Sequence, residues 1–272
     1  MIEVALVQLR TPSTQAAALA HAAPLVREAA AAGGRLIVTP EGTNLLQRDR
    51  TALFATLTPL EDDICVNGLR SLADELDVWL VIGSAMVLRP DGKAANRSVL
   101  VDPSGRIVAT YDKVHLFDVD LAGGEHYRES ATFEPGEHAT VAEIDGVRLG
   151  LSVCYDLRFA ALYRTLAQAG AEVLTIPAAF TRPTGEAHWQ VLLRARAIET
   201  GSFVLAAAQG GEHEDGRATW GRSMAVSPWG EVIALADDDD PGVIRASLDL
   251  AEVARARASI PALRHDRAFA AP

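Results

Sequence analysis

A carboxylate, an ammonium and a thiol, Glu41, Lys113 and Cys154, each follow an apolar run that reads as a β-strand. Together they could attack a carbonyl or nitrile carbon. A cysteine needs a base to become a thiolate, and a carboxylate partly shielded from water can take that proton and later return it to a leaving amine. The negative oxygen formed on attack needs fixed positive charge, which Lys113 and the backbone N–H of Tyr155 could supply. A cation also keeps a neighbouring cysteine ionised, so Lys113 would act before attack as well as during it. Loops at one sheet edge could gather the three residues. Singly, each has a duller explanation: surface carboxylate, surface lysine, core thiol.

The elements that must position them are legible in outline. Residues 147–153 alternate as a strand, residues 159–169 carry apolar side chains at helical spacing, and Gly170 ends that run. Cys154 therefore falls at a strand-to-helix turn, where unpaired N–H groups would favour thiolate over thiol and bind an oxyanion. Residues 35–39 form a short strand running into Pro40-Glu41-Gly42. Residues 97–101 and 106–111 are strands joined by the turn DPSG, and the second runs directly into Asp112-Lys113. A strand at 2–9 and an alanine-rich helix at 16–32, interrupted or kinked at Pro24, open the chain. The pattern predicts a helix at 62–76 with Cys65 in its core face, and a strand at 78–83. A second hairpin turns at Asp145-Gly146, a strand covers 172–176, and an amphipathic helix covers 185–200. Short strands follow at 203–207, 224–227, 231–235 and 242–247, and the tail after Ile260 wraps or frays. Residues 114–138 show no periodicity and should wall an active site.

Composition narrows the class. At 272 residues with 49% hydrophobic content, the chain reads as a single α/β domain spanning 1–272. It lacks an uncharged apolar run of about eighteen residues, and its opening MIEVALVQL reads as a strand rather than a signal peptide. These features predict a cytoplasmic protein with no membrane partner. Two cysteines, Cys65 and Cys154, exclude a disulfide framework and do not make a zinc cluster. A formal charge of −11 with no long basic cluster argues against nucleic acid and favours small-molecule chemistry. The acidic run 237–240 reads as a solvated turn, and EHED at 212–215 as a polar loop rather than a metal site.

The motifs TPEG (39–42), YDKVHLFD (111–118) and CYDLRF (154–159) carry a resemblance to the nitrilase superfamily of carbon–nitrogen hydrolases, continued by GAEVLTIPAAF (170–180), HWQVLLRARAIET (188–200) and SPWGEV (227–232). The resemblance implies a four-layer α-β-β-α sandwich whose subunits pair into a homodimer or higher homo-oligomer. It implies Cys154 as nucleophile, Glu41 as general base and Lys113 as oxyanion stabiliser, with no cofactor and no metal. A second glutamate is matched by Glu129 within YRES, with Glu125 four residues away as a competing match. The branch containing omega-amidase and deaminated-glutathione amidase is the most similar, and AAAQ (206–209) and LLRARAIET lean toward the latter. A small, linear, carboxylate-bearing amide is the implied substrate. Nitriles and N-carbamoyl compounds suit the same triad, and a non-catalytic scaffold retaining the fold is the contrasting class.

Around the triad, His115 and His188 invite a Cys-His reading that the Glu-Lys pair competes against. His115 is more simply a structural hydrogen bonder. Arg158 either binds a substrate carboxylate or braces Asp156, and the brace is preferred. Tyr155, Phe180, Thr181, Arg182 and His188 complete the expected substrate-binding set.

Overall fold

The computed structural model describes residues 1–120 and 126–270. In chain order, β1 (Ile2–Gln8), α1 (Gln15–Ala31) and β2 (Leu36–Val38) lead through a short α2 (Arg50–Thr56) to α3 (Ile64–Leu76), β3 (Trp79–Leu88), β4 (Ala94–Val101) and β5 (Ile107–Asp112). A small hairpin, β6 (Asp118–Asp120) with β7 (His126–Arg128), precedes β8 (Thr140–Ile144), β9 (Val147–Leu151), α4 (Ala160–Gln168), β10 (Val173–Thr175) and α5 (Arg182–Thr200). Then come β11 (Phe203–Ala206), β12 (Gly210–Glu212), β13 (Ala218–Trp220), β14 (Met224–Val226), β15 (Val232–Leu235), β16 (Gly242–Leu248) and α6 (Ala251–Ser259).

Two six-stranded sheets run in the orders β16-β1-β2-β3-β4-β5 and β15-β14-β11-β10-β9-β8. Each has a parallel centre, β1-β2-β3 or β9-β10-β11, flanked by antiparallel strands. The period-2 alternation of the strands decides what each face meets. Val4, Leu6, Leu36, Val38 and Val81 face the second sheet's Leu149 and Leu151. Their neighbours Ala5, Val7, Ile37, Leu80 and Ile82 face Ala18, Ala22 and Val26 of α1 and Val66, Leu69 and Ala73 of α3. On the far side, α4 and α5 bring Tyr163, Leu166, Leu193 and Ala197 against the second sheet. The result is a four-layer α-β-β-α sandwich. Among the described residues no helix is long and apolar enough to cross a membrane.

Parallel strands end on the same edge, so the segments after β2, β9 and β10 converge there. β5 runs antiparallel to β4, which runs antiparallel to β3, and so reaches the same edge. One close approach fixes this convergence. The β3–β4 pairing advances from Ile82–Val99 to Ala85–Arg97, so β3 spends one residue more than its partner in a bulge at Gly83-Ser84. A Cβ on Gly83 would stand 1.9 Å from the Thr39 carbonyl oxygen and 2.5 Å from Cβ of Pro177. Only glycine lets the two sheets meet so closely.

Several sequence expectations change. α1 runs without interruption through Pro24, because Ala18, Ala22, Val26 and Ala29 bury one continuous stripe along it. α5 begins at Arg182, earlier than expected, since Pro183 in the first turn needs no N–H there. The acidic run is pinned rather than merely solvated: Gln8 Nε2 donates to the carbonyls of Asp238 (2.9 Å) and Asp240 (2.8 Å), and Arg10 pairs with Asp240. The tail wraps: Gln168 on α4 donates to Asp266 (2.7 Å), and Arg164 reaches the same carboxylate. α2, α6 and the β12–β13 hairpin were not anticipated from the pattern.

Candidate active site

Val153 is extended, and Cys154 then takes a left-handed backbone conformation, φ 50°, at the head of a 3-10 turn spanning Cys154–Arg158. A non-glycine residue holds that conformation only where its surroundings over-determine it. Here Asp156, fully buried, does so. Its Oδ2 accepts from Val153 N–H (2.8 Å) and the Tyr111 hydroxyl (2.7 Å), while Oδ1 accepts from His115 N–H (3.1 Å) and lies 2.6 Å from His115 Nδ1. The Cys154 N–H donates to the Pro177 carbonyl at 2.8 Å, tying the turn to the segment after β10. His115 stacks on Phe159 at 3.6 Å between ring centroids, a structural placement away from the thiol's base.

Around the thiol lies a buried ionic cluster. Lys113 Nζ is 2.9 Å from Glu41 Oε1 and 2.8 Å from Glu129 Oε2, and the lysine side chain is 2% exposed. Glu41 Oε2 accepts from the Ala179 N–H (2.9 Å), and Glu129 Oε2 from the Phe117 N–H (2.6 Å). Asn96, absent from the sequence-derived set, donates Nδ2 to Glu41 Oε1 (2.9 Å) and Glu129 Oε1 (3.1 Å). Its only sequence signal is an inward strand phase shared with Ser98 and Leu100. Glu125, the competing match to Glu129, lies outside the described residues.

The electrostatics follow from these contacts. Burial alone would push the Glu41 carboxyl up, but Lys113, the neighbouring Cys154 thiol and Asn96 together hold it below the usual carboxylate range. For Lys113, burial is outweighed by Glu129 and Glu41, which hold its proton firmly. Burial and the Glu41 charge push the Cys154 thiol well up, against the opposing pull of Lys113. Both directions run against the expectation that the turn favours thiolate: Cys154 holds its proton more tightly than a free cysteine, and the carboxylate beside it is favoured in its charged form.

Cys154, Glu41, Lys113, Glu129 and Asn96 line a cavity of about 300 Å³. Tyr155, Phe180 and Thr181 line it too, as does the segment between β5 and β8 through Phe117, Tyr127 and Phe133. Arg182 is not in this lining; it pairs with Asp239 at 2.9 Å, having been drawn into the first turn of α5. His188, nearly two turns further along, also stays outside and meets Arg158 through Nδ1 at 3.3 Å. The preferred brace between Arg158 and Asp156 is not formed, since backbone N–H groups, Tyr111 and His115 already satisfy Asp156. Arg158 instead lines the cavity, with its guanidinium over the rings of Phe180 (5.5 Å) and Tyr155 (5.8 Å). The EHED loop is spent on protein contacts: His213 Nε2 meets the Thr219 hydroxyl, Asp215 pairs with Arg217, and Glu214 accepts from the N–H and hydroxyl of Ser13 just before the distant α1. No cluster of His, Cys, Asp and Glu among the described residues could hold a metal ion.

Known proteins resemble the chain in sequence and in fold. The carbon–nitrogen hydrolase family profile matches residues 3–258. The chain is 40% identical to deaminated glutathione amidase of Yersinia enterocolitica over 86% of this chain and 82% of that protein. It is 34% identical to omega-amidase NIT2 of Homo sapiens over 97% of this chain and 94% of that one. The crystal structure of Saccharomyces cerevisiae Nit3, a member of branch 10 of the nitrilase superfamily, matches with a TM-score of 0.87 at 30% identity, covering 97% of this chain and 96% of that one.

Proposed function

Because the chain belongs to the carbon–nitrogen hydrolase family, we propose that it is a cysteine-dependent amidase acting on a small linear amide that carries a carboxylate. The observation that carries this reading is the buried Glu41–Lys113–Glu129 cluster lining one cavity with the Cys154 thiol. Cys154 Sγ attacks the amide carbon as its proton passes to Glu41, and the carbonyl oxygen becomes an oxyanion held by the Lys113 ammonium and the Tyr155 N–H. Glu41 then protonates the departing nitrogen, the C–N bond breaks, and ammonia leaves a thioester on Cys154. Water attacks that thioester, giving its proton to Glu41, which returns it to the sulfur as the acid is released. Two carboxylates, one ammonium and a neutral thiol sum to one negative charge at rest, and the sum is unchanged once the oxyanion replaces the Glu41 anion. Glu129 keeps Lys113 aimed and charged throughout.

Arg158 is the candidate receiver of the substrate carboxylate, since it lines the cavity with no carboxylate partner among the described residues. Likeness to the Yersinia relative favours a deaminated-glutathione type of amide. Likeness to omega-amidase over nearly the whole chain supports a 2-oxo acid omega-amide as the second reading. The same proposal takes residues 1–272 as one domain, working in the cytoplasm and paired with further copies. Exposed Val191 and Ile198 on α5 and exposed Trp229 support the pairing. Sedimentation of the purified chain tests it, and a monomer at all concentrations would reject it.

An ammonia-release screen across deaminated peptide amides, omega-amides, N-carbamoyl compounds and nitriles tests the chemistry. We expect turnover of a carboxylate-bearing amide that disappears in Cys154→Ala; undiminished turnover in that variant would end the cysteine mechanism.

A further inference from the structure

We propose that Asn96 is a positioning residue: its side-chain amide clasps Glu41 and Glu129 beside Lys113 and so governs when Glu41 gains and gives up the proton of the reaction. This rests on the reading of Glu41 as the base for Cys154. Asn96 is 1% exposed and lies on β4. Its carbonyl accepts the Lys113 N–H at 2.9 Å, so its backbone places the lysine while its side chain places both carboxylates. Nδ2 donates to Glu41 Oε1 at 2.9 Å and to Glu129 Oε1 at 3.1 Å, which commits both of its N–H bonds to anions. Oδ1 is buried with no partner among the described residues. Turning the amide over would set that oxygen against two carboxylates, so the orientation is determined.

The chemistry of this clasp is directional. A carboxylate accepting a hydrogen bond is favoured in its charged form. Without it, Lys113 and two backbone N–H groups, those of Ala179 and Phe117, must balance two anions, and a second cation here would compete for the oxyanion. A neutral amide relieves the crowding without adding charge. When Glu41 takes the thiol proton it loses much of its claim on Nδ2, so Asn96 opposes protonation and speeds its reversal. The step it assists is therefore proton delivery to the leaving nitrogen.

Two substitutions separate this role from packing. Asn96→Leu removes the donor at similar volume, and Asn96→Asp, isosteric with the native side chain, adds a third anion. The rate of Cys154 alkylation by iodoacetamide is followed against pH, alongside ammonia release from succinamate. We expect the acidic inflection of alkylation to move up by about one pH unit in Asn96→Leu and further in Asn96→Asp, with kcat for succinamate lowered about tenfold and KM little changed. If Asn96→Leu fails to fold by circular dichroism, the shift in Asn96→Asp decides. An unmoved inflection in a folded variant, or equal shifts in the two, would overturn the clasp. Persistence of the wild-type inflection in Glu41→Gln would instead overturn the reading of Glu41 as base, and the proposal with it.

Discussion

Cys65 and Cys154 are both buried free thiols, and burial raises the pKa of each. Cys65 sits on α3 among Val66, Leu69 and the outer face of the first sheet, with its sulfur 3.8 Å from the Thr43 carbonyl oxygen. Cys154 sits on a left-handed turn in the wall of a cavity, against Glu41 and Lys113. Both thiols hold their protons more tightly than a free cysteine, so a lowered pKa does not distinguish the two. What distinguishes them in the structure is a carboxylate and an ammonium beside Cys154 and a cavity next to it; in the proposed mechanism the carboxylate takes the proton during attack and the ammonium meets the oxyanion. On that proposal, reactivity belongs to the surroundings and not to a pre-formed thiolate.

The sharpest way to break that contrast is to delete each sulfur. Cys154→Ala should lower ammonia release by on the order of 10⁴-fold or more, while Cys65→Ala should leave kcat/KM within about twofold and reduce stability by roughly 1 kcal/mol, read by thermal melting. Replacing the surroundings is the next test. Glu41→Gln should cost about 10²- to 10⁴-fold in kcat, and Lys113→Met about 10²- to 10³-fold, the latter with a lowered melting temperature because two buried carboxylates lose their cation. Selective labelling comes third: iodoacetamide should modify one thiol per native chain, at Cys154 by peptide mapping, and both only after unfolding. Fast native labelling of Cys65 would dissolve the distinction.

The smallest expected effects are in pH-dependent stability, where the two thiols should behave alike. A thiol kept neutral in the folded state gives up its proton more readily once unfolded, so each cysteine should weaken the fold as pH rises above about 9. Either alanine variant should flatten that alkaline slope in chemical denaturation. On the acid side they part. Glu41 is held below the usual range by its neighbours, so its stabilising share is present above about pH 4.5. It is lost as pH falls through the lower folded value, and Glu41→Gln should remove it.

The strands were legible because alternation is local: residues 2–9, 97–101 and 147–153 each carry their own period, and the parallel centres place their ends together. Glu41, Lys113 and Cys154 fall in one cavity because each follows such a strand, whereas Glu129 joins them from the turn after β7, in a segment with no period, and was expected only from the family resemblance. Arg182 and His188 were misplaced because Pro183 lets α5 start earlier and carry both away from the cavity. The Asp156 buttress was missed because its donors, Tyr111, His115 and Val153, are brought in by a backbone turn that no spacing rule announces. Asn96 was missed because one polar residue on an inward phase is indistinguishable in sequence from any other buried amide.

The Ala179 N–H of the second sheet's loop reaches Glu41, whose own carbonyl accepts from Gln209 Nε2 at 2.9 Å. A nascent or half-docked chain thus carries its cysteine without the groups that arm it, and turnover per mole of protein counts the molecules whose sheets have closed. Catalytic titration of this enzyme would therefore serve as an assay of its own folding, reading out inter-sheet docking separately from the helical content that a spectroscopic signal reports.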